Sequence, residues 1–157
     1  MKLPGDEVRR LVAYLRSRVS QEELAEIEDI LRSVEGTDYL RSRALSRHFP
    51  SVDTILSISG SQWSVHITSH AHLRLVQRGV TVDEVISTFT KSVKLCCETG
   101  EVFVEGNYAL VGRTRRGITT VRIDIERVTD VEGAANVVTI YLGRPGEDDN
   151  GSTIELV

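Results

Sequence analysis

The strongest constraint on this chain is the alternation of apolar and polar residues in its C-terminal half. In ITTVRIDIE, Val121, Ile123 and Ile125 alternate with Thr120, Arg122 and Asp124; in NVVTIYLGR, Val138, Ile140 and Leu142 alternate with Thr139 and Tyr141. A period of two sends successive side chains to opposite faces of a sheet. VKLCCE, EVFVE and YALVGRT read as further strands, and WSVHIT as an earlier one. The short breaks at Thr99-Gly100, Gly106-Asn107 and Arg116-Gly117, and a loop containing Gly133, predict an antiparallel meander of four or five strands. One face would be apolar and covered by helices. The other would present Arg122, Thr139 and Tyr141, with Arg113, Arg115 and Arg116 near the preceding turn. Arginines and a tyrosine on a polar sheet face suit single-stranded nucleic acid, through phosphate pairing and base stacking. Plain solvent exposure accounts for the same pattern.

The N-terminal part reads as helical. Val8, Leu11, Val12 and Leu15 follow the spacing of one helical face. Ser20 with Glu23 forms a capping box ahead of a run carrying Leu24, Ile27, Ile30, Leu31 and Val34, which Gly36 stops. Thr37 or Asp38 would cap a third helix through Arg47, with Arg41, Arg43 and Arg47 on a basic face, His48 behind and Pro50 at its end. SVDTILSISGSQ reads as a short helix closed by Gly60. The expected organisation is a helical region at 1–62, an α+β domain at 63–144 and an acidic, flexible tail at 145–157 whose last residues could add an edge strand. The basic set Arg41, Arg43 and Arg47 is too short to drive non-specific nucleic-acid binding, so this region is expected to serve packing or partner docking, separable from any activity.

The formal net charge of −4 comes from that tail, which holds four acidic groups and no basic one. Residues 1–62 carry 9 basic and 10 acidic groups, and residues 63–144 carry 10 and 9, so any polyanion site must be a local cluster. No apolar run is long enough to span a bilayer and no secretory signal is visible, so no membrane association is expected. Cys96 and Cys97 are adjacent and form no disulfide framework, which fits a reducing cytoplasm.

SHAHLRLVQRG reads as a helix stopped by Gly79, and TVDEVISTF as a second one with Thr81 as N-cap. On the first helix His70, Arg74, Gln77 and Arg78 share a polar stripe, while His72 lies within the apolar arc formed with Ala71, Leu73, Leu75 and Val76. His72 is therefore expected to be a packed or hydrogen-bonded core histidine. His70, beside two guanidinium groups, should be held neutral near pH 7, ready to accept a proton next to fixed cations. The bland alternative for the stripe is a solvated helix face. His66, His70 and His72 do not form a metal site by spacing, because His70 and His72 point apart and no carboxylate pattern accompanies them.

The segment SHAHLRLVQRGVTVDEV resembles the H-A-x-x-R-x-x-x-R-G-(I/V)-(S/T)-x-x-(D/E)-V signature of toxin-like families placed in the barnase–EndoU–colicin–RelE superfamily of nucleases. His70, Ala71, Arg74, Arg78, Gly79, Val80, Thr81, Glu84 and Val85 fall in register with it. Val138, Thr139 and Tyr141 are similar to its V-T-x-Y-like final strand, and the likeness spans residues 65–143. It implies a RelE-like domain, helices on a four- to five-stranded antiparallel sheet, cleaving RNA without metal or cofactor. His70, Arg74 and Arg78 would be the catalytic set, joined by Tyr141, with Arg113, Arg122 and Thr139 binding substrate. The expected partners are RNA and an antitoxin or immunity protein. A non-catalytic RelE-like binding module, or a phage-encoded inhibitor acting through the N-terminal helices, is the alternative, and the near-neutral domain charge favours the binding module.

Overall fold

The computed structural model describes residues 3–32, 43, 45–101, 103–146 and 152–157. Helix α1 (Gly5–Leu15) and helix α2 (Gln21–Arg32) come first, followed by a 3-10 turn at Ser46–His48. A hairpin of β1 (Val52–Ile58) and β2 (Ser61–Ile67) leads into helices α3 (Ser69–Arg78) and α4 (Val82–Thr99). Strands β3 (Gly106–Thr114), β4 (Gly117–Val128), β5 (Glu132–Leu142) and β6 (Ser152–Glu155) complete the fold. Most of the third expected helix, Arg41 included, lies outside the described residues.

The protein is α+β, and its sheet has six strands in the order β1-β2-β5-β4-β3-β6. The expected purely antiparallel sheet of four or five strands is corrected to a mixed one. β2 runs parallel to β5, and β3 parallel to β6. The β2–β5 pairing joins strands separated by both helices, which is the long crossover a parallel pair requires. Residues 51–62, expected as a helix, form β1, its turn and the start of β2 instead: Ser59 and Gly60 both take positive φ (50° and 84°), the conformation of a two-residue hairpin loop. The sheet thus begins before residue 62, and the 62/63 division falls inside β2.

VKLCCE, expected as a strand, belongs to α4, whose buried residues Val85, Phe89, Val93 and Cys96 keep helical spacing until Gly100 ends it with φ 76°. EVFVE is not a strand in its described residues; Phe103 instead packs edge-on to Trp63. Val138 is bulged between the pairs Ile123↔Val137 and Arg122↔Thr139, which buries Val137 and leaves Val138 over a third exposed; Leu142, at the end of the strand, is exposed to the same degree. The expected edge strand at the C-terminus is present as β6, with Ile154 buried against the core.

Two apolar clusters meet on α3. Ala71 and Leu75 join Val65, Ile67, Val121, Ile123, Val137 and Ile140 under the helices. Leu73, on another side of α3, packs with Val8, Leu11, Leu15, Ile27, Leu31, Leu45 and Phe49. Helix α3 is therefore a middle layer, with the sheet on one side and the N-terminal helices on another. That sandwiching decides the fate of its polar stripe.

Candidate functional site

Helix α3 is well delimited. Thr68 caps its start by accepting from the Ala71 amide at 3.1 Å, and Gly79 ends it at φ 75°, where a side chain would be strained. Thr81 and Glu84 then open α4 as a reciprocal capping box. Thr81 as N-cap and Gly79 as stop are as the sequence predicts.

His72 is buried as expected, although it, rather than His70, lines the groove of about 380 Å³ beside Arg10, Tyr14 and Arg115. His72 is 8% exposed; its Nδ1 lies 2.7 Å from the Pro50 carbonyl oxygen, and its ring meets Tyr14 and Phe49 edge-on. His70 is half-buried, and burial followed by the Arg74 guanidinium lowers its pKa from the ordinary 6.5. Arg74 in turn donates to Gln77 Oε1 at 2.8 Å.

The far half of the stripe is covered by α1. Arg78 forms an ion pair with Glu7, whose side chain is only 10% exposed, and Gln77, expected on the polar surface, is 2% exposed. Gln77 donates to Glu7 Oε2 at 3.4 Å, and its carbonyl accepts from Arg10 Nε at 2.8 Å. Arg115 and Arg116 are also bound here. Arg116 Nε donates to the Arg78 carbonyl at 3.1 Å and Arg115 Nε to the Gly79 carbonyl at 3.3 Å. Three guanidinium groups thus serve the terminal carbonyls of α3, where cations are favoured by the helix dipole. Arg115 also pairs with Glu84 at 3.7 Å. Burial would raise the Glu84 pKa, but the hydrogen bonds of Thr81 and of the Arg115 amide outweigh it and hold the carboxyl low.

The sheet residues of the expected set sit elsewhere. Arg122 and Thr139 are cross-strand partners, and Tyr141 pairs with Thr120. Their neighbours Val121, Ile123 and Ile140 point into the core under α3 and α4, so Arg122, Thr139 and Tyr141 occupy the opposite face. Arg113 shares that face, because Gly112 beside it meets Thr88 of α4. The helix set and the sheet set therefore belong to two sides of the sheet. His70 and Arg74 are brought together; Arg78 is drawn towards α1.

On the second sheet face lies a grouping that sequence reasoning left out. His66 Nδ1 is 2.6 Å from Asp53 Oδ1, and Asn136 Nδ2 donates to Glu126 Oε1 at 2.6 Å. These side chains line a groove of about 350 Å³ with Ser64 and Ile55. Only the register Asp53↔His66↔Asn136 assembles them, from strands β1, β2 and β5. Among the described residues no three His, Cys, Asp or Glu side chains group as metal ligands, and no helix is long and apolar enough to cross a membrane. Of the basic N-terminal set, Arg47 lies 3.7 Å from Glu23 and donates to His48, so it is not an isolated cation.

No protein-family model matches the chain, and neither curated proteins nor solved structures show a significant similarity to it.

Proposed function

We propose that this protein is an RNA-directed toxin domain of RelE-like type that cleaves RNA without a metal ion. The observation that supports it most is His70, half-buried beside Arg74 with its pKa lowered, hence neutral at pH 7 next to a fixed positive charge. RNA carries its own nucleophile, the ribose 2′-OH, so the protein need only move protons and stabilise the phosphorane. His70 would take the 2′-OH proton as that oxygen bonds phosphorus, Arg74 would pair with the phosphate oxygens, and the protonated His70 would return the proton to the 5′-oxygen as its bond to phosphorus breaks. Arg78 is held by Glu7, so it would act on substrate only after α1 shifts, and otherwise keeps α3 in place. Arg113, Arg122, Thr139 and Tyr141 would offer a second contact surface across the sheet.

The same Glu7–Arg78 pair favours a second reading, a binding module of this fold that grips a protein or nucleic acid without cutting it. One experiment separates the two. Purified protein is incubated with cellular RNA in EDTA, and 5′ fragments are examined for 2′,3′-cyclic phosphate ends. On the toxin reading, RNA is cut and DNA is not, and His70→Ala lowers cleavage by about a hundred-fold or more while the fold persists. No cleavage, or cleavage that needs added metal, leaves the binding module.

A further inference from the structure

Strand β1 ends the sheet, so one of its edges bonds to β2 and the other has no strand neighbour among the described residues. The direction of each backbone group follows from the hairpin. The two-residue loop Ser59–Gly60 closes on the pair Ile58↔Ser61, and such loops close on a hydrogen-bonded pair. Counting back by twos, Leu56, Thr54 and Val52 also bond to β2. The N–H and C=O groups of Asp53, Ile55 and Ser57 then point outward.

This edge carries few of the usual protections against pairing. Its register runs unbroken through seven pairs, with no bulge, no lysine and no proline. Ile55, at its centre, is 69% exposed and is the most exposed large apolar side chain among the described residues. The opposite edge is different: β6 has four residues, and Glu155 on it is held by Arg144.

We propose that β1 pairs antiparallel with β1 of a second copy of this chain, about a two-fold axis through Ile55. In that register Ile55 faces the partner's Ile55, and Asp53 faces the partner's Ser57. Each of these facing residues offers an outward N–H and C=O, and the carboxylate meets a hydroxyl. On the other face Thr54 meets the partner's Leu56, and Val52 the partner's Ile58, pairs that suit a pleated surface. The neighbouring axes at Thr54 and Leu56 set Ile55 against the partner's Asp53 or Ser57 and lose the apolar pair. Further along, an axis at Asp53 sets two carboxylates face to face, and one at Ser57 draws the turn residue Ser59 into the ladder. The self-complementary pattern is what selects a second copy over an unrelated strand. One strand on each side is a small interface against the standard ~1,600 Å², so the dimer forms reversibly with concentration.

Light scattering and sedimentation of the full chain over a concentration series test this. The mass should climb from 17.5 kDa towards twice that value. Ile55→Lys puts two cations at the axis, and Ser57→Pro removes an outward N–H at a position where an edge strand tolerates proline. Both should remain monomeric, with unchanged circular dichroism and the Tm of dilute, monomeric wild type; Ile55→Lys decides the matter if the proline variant misfolds. With the exposed Cys97 changed to serine, Ile55→Cys should be joined into a covalent dimer by a short bis-maleimide, and Val131→Cys at the turn should not. The proposal is overturned by a wild-type monomer at every concentration, by a dimer that survives Ile55→Lys, or by a dimer that Ile55→Cys does not cross-link.

Discussion

Removing the Glu7 carboxylate tests how firmly α1 is fixed to α3. Glu7 is 10% and Arg78 25% exposed at the side chain, so the pair lies between the solvent-exposed and buried limits. Exposed ion pairs contribute about 0–1 kcal/mol, whereas removing one partner of a fully buried pair costs about 3–5 kcal/mol. A charge-assisted hydrogen bond in between is worth about 1.5–3 kcal/mol. Glu7→Ala also takes the nearly buried Gln77 amide's acceptor away. A loss of about 2 kcal/mol follows, and with a slope of about 2 kcal/mol/M the urea midpoint should fall by about 1 M. Arg78→Ala leaves Glu7 as an uncompensated carboxylate and should cost at least as much. The double variant should therefore lose less than the sum, with a coupling energy of about 1–2 kcal/mol in the cycle. Equilibrium urea unfolding followed by fluorescence and circular dichroism supplies all four free energies. A Glu7→Ala loss below about 0.5 kcal/mol, or a coupling near zero, would refute the argument that this contact anchors the N-terminal layer.

Two further outcomes can be checked independently. The folded-state pKa of His70 lies below 6.5, so as pH falls the unfolded chain binds this proton first. Its contribution to stability is intact above about 6.5 and declines below it; the His70 ring signal in NMR should titrate below 6.5, and in Arg74→Ala move upward, whereas a wild-type midpoint at or above 6.5 contradicts the reading. At Gly133 an added Cβ would lie 2.5 Å from the Trp63 ring, across the β2–β5 ladder. Gly133→Ala should therefore cost about 1–3 kcal/mol by overpacking and shift the emission of the chain's single tryptophan; unchanged emission and stability would show that the ladder yields.

Local chemistry was legible in the sequence. The Gly79 stop, Thr81 as N-cap, the stripe Val8, Leu11, Val12 and Leu15 and the alternation of Val121, Ile123 and Ile125 along β4 depend on residues a few positions apart, and each appears as read. The contrast between His70 and His72 was likewise set by their places on one helix. Reading failed where short apolar runs fit either period. Val52–Ile58 has a strand's alternation but also helical coincidences, and its strand state is secured by a partner and a turn. Val93 to Glu98 looks β-prone, yet it continues a helix whose stripe began at Val85.

Tertiary structure decided the rest, because a polar group's partner can come from anywhere in the chain. The sequence put Arg78 on a polar stripe; only the docking of α1 brings Glu7 to it from 71 residues away. Arg115 and Arg116 read as cations near a turn, and folding places them on the last carbonyls of α3. The parallel pairing of β2 with β5 assembles Asp53, His66 and Asn136 into a row that no local motif announces. Strand content is a property of segments, but strand order, bulge position and the burial of a charge depend on which segments meet, and those contacts are written in no single stretch of residues.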